Sequence, residues 1–287
     1  MPKLIKNIKN IKKKVVVFDL DETLGYFGEF GRFCILLDEY YKNDDKAYSI
    51  FNQLMDLYPE FIRPNMINTL KFLLQKKKEN KCQAIMIYTN NNGERKWVQY
   101  IKGYFEYKLN SKIFDQIISA FKINGKVVEI NRTSHDKSID DFFRCTKLPA
   151  NIEICFIDDI FHPKMESDNV YYIHVKEYRY ILPSDEIINR FLNSPLSNDI
   201  KNKDEFIQFS KPRLKYNILE KSTHEHDIDV IVSKKMLEHI KEFFNKDEAK
   251  LEYKDYKHLS KSFKKHTKYG GSSSNNKTLK KNKFYHP

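Results

Sequence analysis

Six side chains in this sequence stand where acid–base and phosphoryl chemistry could be run: Asp19, Asp21, Thr89, Lys137, Asp158 and Asp159. Asp19 follows the apolar run Val15–Phe18, Thr89 follows Ala84–Tyr88, and Asp158-Asp159 follow Glu153–Ile157. Each run is short and apolar, the mark of a buried strand. In Asp19-Leu20-Asp21 the carboxylates are two positions apart, so on an extended chain they project to the same side. Their repulsion raises the proton affinity of one relative to the other. One can then stay ionised as a nucleophile while the other carries a proton. A hard divalent cation would relieve the same repulsion, and Mg²⁺ takes a few carboxylates together with phosphate oxygens and water.

These groups can meet only if their strands lie side by side. Further strands are predicted over 114–120 and 170–175, and helices over 47–58, from Arg63-Pro64, and over 93–104, 137–145 and 183–192. Asp44 and Asp45 are candidate caps for the first helix, and Pro64 suits the first turn of the second. Gly25 to Leu37, with aromatics and the internal glycines Gly28 and Gly31, reads as a β-hairpin; Tyr26, Phe27, Phe30 and Phe33 are expected to pack it. Strands alternating with helices imply a largely parallel sheet covered on both faces, spanning roughly 14–193. Ligands bind outside the carboxyl ends of such strands, where three ends would deliver a carboxylate or hydroxyl to one polar pocket.

The run Val17-Phe18-Asp19-Leu20-Asp21-Glu22-Thr23-Leu24 resembles the first motif, D-x-D-x-T, of the haloacid dehalogenase superfamily phosphatases. With Arg63-Pro64 ahead of the second motif, it is most similar to the branch containing the RNA polymerase C-terminal-domain phosphatases. Thr89 matches the second motif, Lys137 is the candidate for the third, with Lys126 close by, and Asp158-Asp159 match the fourth. The resemblance implies a Rossmann-like core with a small hairpin and helix insert after the first strand and no large cap. It implies that Asp19 attacks phosphorus to form an aspartyl-phosphate. Asp21 protonates the leaving oxygen and then deprotonates water. Thr89 would hydrogen-bond the phosphoryl oxygens and Lys137 balance their charge, with Asn90, Arg63 and Thr23 in the substrate-binding set, although Thr23 suits steadying the turn better than touching substrate. Mg²⁺ would sit among Asp19, the backbone carbonyl of Asp21, and Asp158 and Asp159, one of the last two supporting Lys137. The chain departs from the branch at Arg63-Pro64-Asn65, where Arg-Pro-Gly is usual, and at Asp158–Pro163, which lacks Asn-Ser-Pro. Those differences bear on a polymerase-tail substrate more than on the chemistry.

Composition frames these expectations. The 287 residues carry a net charge of +12, with 40% hydrophobic and 14% aromatic residues, enough for a real core and against wholesale disorder. Cys34, Cys82, Cys145 and Cys155 form no C-x-x-C pair, so neither a disulfide framework nor a zinc knuckle is indicated. No apolar run reaches the ~20 residues of a membrane helix. The basic Met1–Lys14 stretch runs straight into a strand, unlike a secretory signal. A cytoplasmic or nuclear location is expected, with the oligomeric state open.

The expected organisation is a basic arm (1–14), a phosphatase domain (15–193), a C-terminal extension (194–247) and a Lys-rich tail (248–287). Ser194–Tyr216 reads as a polar linker, and Asp229–Phe244 as a short strand and a helix capped by Ser233. His224-Glu225-His226 reads as exposed surface rather than a metal site. Lys and aromatics interleave around Tyr253, Tyr256, Phe263 and Tyr269, a pattern able to contact nucleic-acid phosphates and stack on bases. The favoured substrate is a phosphoserine or phosphothreonine protein; nucleic-acid ends or nucleotides come second, and a catalytically silent binding module third.

Overall fold

The apolar runs pair side by side, and the chain between them supplies the covering helices. The computed structural model describes residues 13–43, 45–93, 95–214, 221–246 and 254–255. In chain order the first half comprises β1 (Lys14–Phe18), α1 (Gly28–Tyr41), α2 (Lys46–Ser49), α3 (Phe51–Leu57), α4 (Met66–Lys78), β2 (Ala84–Tyr88) and α5 (Arg95–Leu109). Then follow β3 (Gln116–Ile118), β4 (Lys122–Ile123), β5 (Lys126–Val127), α6 (Ile139–Thr146), β6 (Glu153–Asp158) and β7 (Val170–His174). The last elements are α7 (Ser184–Leu192), α8 (Lys203–Ser210), α9 (Thr223–Asn245) and the two-residue β8 (Lys254–Asp255).

The main sheet has the order β3-β2-β1-β6-β7-β8 with every pairing parallel. This is an α/β, Rossmann-like architecture. From β1 the chain winds outward to β2 and β3, then returns across β1 to continue with β6 and β7. The direction of winding therefore reverses between β1 and β6, and in open parallel sheets the ligand crevice lies at such a reversal. Register does the rest. Phe18 pairs with Ile87 and Ile157, so Asp19, Thr89 and Asp158 arrive at one edge within about one residue of each other.

Alternation along the strands splits the core in two. Val16, Phe18, Ile85, Ile87, Ile157 and Ile173 face a large cluster built with α1, α3, α4, α5, α7, α8 and α9. Val15, Val17, Met86, Tyr88, Ile154 and Phe156 face a smaller one, closed by Phe142 of α6 and by Met165.

The segment expected to be a hairpin is instead α1. Phe27, Phe30, Phe33, Cys34 and Leu37 recur at helical spacing and are all buried. The two glycines that suggested a turn are tolerated, Gly28 at the first helical position and Gly31 where a Cβ would come 3.3 Å from the Trp97 ring. The aromatics do pack, as expected, but on a helix: Phe30 meets Phe51 edge-on at 5.4 Å. The helix expected over 47–58 is divided at Ile50 into α2 and α3. Of its candidate caps, Asp44 lies outside the described residues, and Asp45 makes no side-chain cap bond.

Two further expectations are overturned beyond Asn193. The stretch expected to be a linker contains α8, capped by Asn202, and buries Phe206 and Leu214 in the large cluster. The expected strand and helix over 229–244 are one helix of 23 residues. It starts at Ser222, whose side chain accepts from Glu225 N–H while Glu225 accepts from Ser222 N–H, a capping box. Ser233 is internal and buried, its hydroxyl donating 2.7 Å to the Asp229 carbonyl. Met236, Ile240 and Phe243 join the large cluster, so residues 194–214 and 221–246 share its core. The expected basic arm lies outside the described residues but for Lys13 and Lys14, as does the Lys-rich tail but for Lys254 and Asp255. Among the described residues, no helix is long and apolar enough to cross a membrane.

Candidate active site

Asp19 continues β1 by one residue, its N–H donating 2.8 Å to Ile157 O. The chain then turns sharply. Leu24 N–H returns to Leu20 O, Glu22 N–H to Gly25 O, and Glu22 adopts a left-handed φ of 56°. This turn aims Asp19, Asp21 and Glu22 at the carboxyl edge of the sheet, where they line a cleft of about 390 Å³ with Thr89, Asn90, Asn91, Lys137, Asp158, Asp159 and His162.

Lys137 is the centre of the site. It precedes α6, whose cap Ser138 accepts from Asp141 N–H, and it is 2% exposed. Its Nζ donates 2.5 Å to Asp19 Oδ1 and 2.7 Å to Asp158 Oδ2. Asp158 also accepts 2.8 Å from Ile160 N–H and lies 3.4 Å from His162 Nε2. Lys126, the other lysine considered, is exposed on the β4–β5 hairpin. That hairpin was not foreseen, although its Asn124-Gly125 turn, with φ of 49° and 77°, is a strong two-residue signal.

Hydrogen bonds distinguish the two acids at the end of β6. Asp158 supports Lys137, whereas Asp159 Oδ1 accepts 2.9 Å from the Thr23 hydroxyl, which in turn accepts from Asp159 N–H. Thr23 is fully buried and is not among the cleft-lining residues. Arg63 also stays out of the cleft. Its buried guanidinium donates 2.5 Å to Thr23 O and to Glu22 O, and 2.8 Å to Lys176 O, fastening the turn after β1 to the loop after β7. Arg63, expected in the substrate-binding set, instead braces the acids, and Thr23 steadies the turn as its position suggested.

Two residues that sequence reasoning missed complete the arrangement. Asn91 Nδ2 donates 2.8 Å to Asp21 Oδ2, and Asn91 N–H donates 2.9 Å to Thr89 Oγ1. The Thr89 hydroxyl so engaged keeps its own hydrogen for an acceptor in the cleft. Arg132, buried behind Thr89 and Asn90, donates to four oxygens on three loops. Neither type stands out in a chain rich in Asn and basic residues, and the only sequence signal was position next to Thr89 and ahead of Lys137. His135 contributes its carbonyl to Arg132 rather than a ring nitrogen to the cleft.

Electrostatics mark the site as short of positive charge. Burial pushes the Asp19 carboxyl well above its ordinary range, Lys137 opposes the shift, and Asp158 and Asp21 add to it. Burial also raises Asp21, against the Asn91 hydrogen bond. Burial together with Asp21 and Asp159 takes Glu22 to about 7, and burial with Asp158 takes Asp159 to about 6. Burial works on Asp158 too, but Lys137 and His162 outweigh it and hold that carboxyl below its usual value. The two carboxylates likewise outweigh burial and raise Lys137. Five acids thus face one lysine. Ligand oxygens of Asp19, Asp158 and Asp159 lie within 4.8 Å of one another. An all-oxygen set of this kind, in which burial raises Asp19 and Asp159 while Asp158 stays ionised against Lys137, fits a hard divalent cation. Asp21 is outside this set, its carboxylate being engaged by Asn91. His224-Glu225-His226 forms no such group among the described residues, Glu225 being spent on its capping box.

No family model, curated protein or solved structure matches the chain.

Proposed function

We propose that this protein is a Mg²⁺-dependent phosphomonoester hydrolase of the haloacid dehalogenase type, working through a phosphorylated Asp19. The observation carrying this reading is the lysine held between Asp19 and Asp158 at the ends of adjacent strands, beside Asp21 and Thr89. Helix caps and surface loops do not require a buried cation shared by two buried carboxylates.

In the first displacement an Asp19 oxygen attacks phosphorus and the bond to the leaving oxygen breaks, that oxygen taking the proton carried by Asp21. In the second, Asp21 removes a proton from water, the water oxygen attacks phosphorus, and the Asp19–phosphorus bond breaks to release phosphate. The raised proton affinity of Asp21 suits both duties. Thr89 and Asn90 donate to the phosphoryl oxygens, and Lys137 balances charge on Asp19 and on the transferring group. Asp19, Asp158 and Asp159 would hold Mg²⁺, with the Asp21 backbone carbonyl as the resemblance implies. Bound there, the ion would supply the positive charge that keeps Asp19 ionised and offsets its repulsion from phosphate.

A phosphorylated Ser or Thr on a polypeptide is the substrate the surface suits best. The cleft shares Gly28, Asn91 and Asn92 with a neighbouring hollow of about 520 Å³, lined by Phe27, Tyr48, Lys96 and Trp97 among others, where residues flanking a phosphorylated side chain could lie. A phosphorylated nucleic-acid end is the second reading, favoured by the tail, which carries no Asp or Glu after Asp255. The deciding experiment is hydrolysis of an aryl phosphate with Mg²⁺. Turnover that disappears in Asp19→Asn supports the reading; no turnover with any divalent metal replaces it with a binding module.

A further inference from the structure

We infer, resting on the phosphatase reading, that Arg132 is a positioning residue that aims the Asn90 amide at the phosphoryl group. Arg132 is 2% exposed. Its Nη1 donates 2.8 Å to Ser119 O and 3.1 Å to Thr89 O; its Nη2 donates 2.7 Å to Asn90 Oδ1 and 2.9 Å to His135 O. One planar group therefore ties together the ends of β2 and β3 and the approach to Lys137. A guanidinium only donates. The Asn90 oxygen must face it, which turns the Asn90 NH₂ group away, on a residue that is exposed and lines the cleft. That leaves two amide hydrogens on a cleft-lining residue that follows Thr89 in the chain, in a cleft where phosphoryl oxygens need donors.

The charge of Arg132 points the same way. None of its four hydrogen bonds goes to a carboxylate, its Nε has no hydrogen-bond partner among the described residues, its guanidinium lies 4.9 Å from the Tyr88 ring, and its charge reaches the Asp136 carboxylate without a hydrogen bond to it. Burying a cation on carbonyls alone is costly. Three loops could be joined more cheaply by neutral groups. A neutral amide could present either its oxygen or its NH₂ to Asn90, whereas a guanidinium presents only donors and so fixes which way the Asn90 amide faces.

The test is a double-mutant cycle of Arg132→Met and Asn90→Ala, read as kcat/KM for an aryl phosphate with Mg²⁺ and as inhibition by inorganic phosphate. Each single change is expected to cost roughly ten- to hundredfold in kcat/KM and to weaken phosphate inhibition in step. In the Asn90→Ala background, Arg132→Met is expected to cost less than about threefold more. Arg132→Lys keeps the charge but not the fork, so it covers the case in which Arg132→Met does not fold; it is expected to stay folded with a lowered melting midpoint while losing most of the Asn90-dependent rate. Additive losses in the cycle, or an Arg132→Lys variant as active and as phosphate-sensitive as wild type, overturn the positioning role alone. A wild-type protein with no turnover under any divalent metal overturns the phosphatase reading, and this inference with it.

Discussion

Lys137 Nζ lies 2.5 Å from Asp19 Oδ1, although 118 positions separate the two residues. The same amine serves Asp158, so one lysine neutralises the ends of two adjacent strands. Replacing it with methionine would leave two buried carboxylates facing each other with no cation. Lys137→Met is expected to lower turnover about 10²- to 10³-fold by loss of charge balance, and to cost about 3–5 kcal/mol of stability at neutral pH. The sign of its pH dependence follows from Asp158. Lys137 holds that carboxyl below its ordinary value, a stabilisation present above the unfolded pKa and lost as pH falls through the folded one. Denaturation midpoints of wild type and variant should therefore converge below about pH 4. A gap that stays constant down to pH 3 speaks against the ion pair as its source.

Thr23 braces the candidate metal site from behind. Its hydroxyl both donates to Asp159 Oδ1 and accepts from Asp159 N–H, so it fixes one candidate ligand without reaching the cleft. Thr23→Val keeps the shape and removes both bonds. The Mg²⁺ concentration for half-maximal activity should rise about 10- to 100-fold, while the rate at saturating Mg²⁺ stays near that of wild type. Loss of the saturated rate with unchanged Mg²⁺ demand would place Thr23 on substrate instead.

Metal binding should itself depend on pH. Asp159 at about 6 and Glu22 at about 7 hold protons in the folded state that the unfolded chain releases nearer 4. A raised carboxyl value makes stability fall as pH rises between the unfolded and folded values, here from about 4 to about 7. A divalent cation binds the ionised form and reverses that loss. The increase in melting temperature on adding Mg²⁺ is therefore expected to be larger at pH 7.5 than at pH 5. Equal increases at the two pH values would show that these carboxyls are not the ones facing the ion.

What could be read from the chain follows a physical divide. The central strands are apolar on both faces, a pattern few other elements share, and Asp19, Thr89 and Asp158 stand at the first polar position after each one or at its very end. The edge and the groups upon it were thus legible. Elements decided by tertiary packing were not. Glycines at 28 and 31 obscured the helical spacing of Phe27, Phe30 and Leu37, because packing of Gly31 against Trp97 cannot be seen locally. Ser233 looked like a cap because it precedes a helical pattern, while the cap lay eleven positions earlier in the Ser222–Glu225 pair. Thr23 and Arg63 carry the right chemistry, but whether a polar side chain faces substrate or braces a loop depends on burial, and both are buried.

A separate carboxyl reports on the fold without touching the site. Glu29, in the first turn of α1, is buried and accepts 3.3 Å from Leu182 N–H; burial raises it to about 7. Its ionisation opposes folding as pH rises from about 4.5 to 7, by the sign argument given for Asp159. Glu29→Gln keeps an acceptor for Leu182 and removes the charge. The variant is expected to be more stable than wild type by about 1–3 kcal/mol at pH 8 and to match it near pH 4. A variant less stable than wild type at pH 8 would show that Glu29 is ionised and stabilised in place.

The long C-terminal helix is coupled to the turn after β1 by a chain of contacts. Asp229 of α9, 1% exposed, binds Lys176 at 3.1 Å and also Lys221. The Lys176 carbonyl accepts from Arg63, and Arg63 holds the carbonyls of Glu22 and Thr23. Farther along α9, Phe243 fills the large core cluster, with its ring 5.8 Å from that of Tyr171 on β7. Phe243→Ala is expected to cost about 3–5 kcal/mol through the cavity it leaves, read as a lower urea midpoint with an unchanged slope. Asp229→Asn keeps the shape and removes the charge from two lysines, so its cost should be smaller, about 1–3 kcal/mol, and should shrink in high salt. Deleting 222–287 should then lower the midpoint by more than either substitution. A truncated chain with the wild-type midpoint would mean that α9 adds nothing to the core, and the route from Asp229 to Glu22 would lose its anchor.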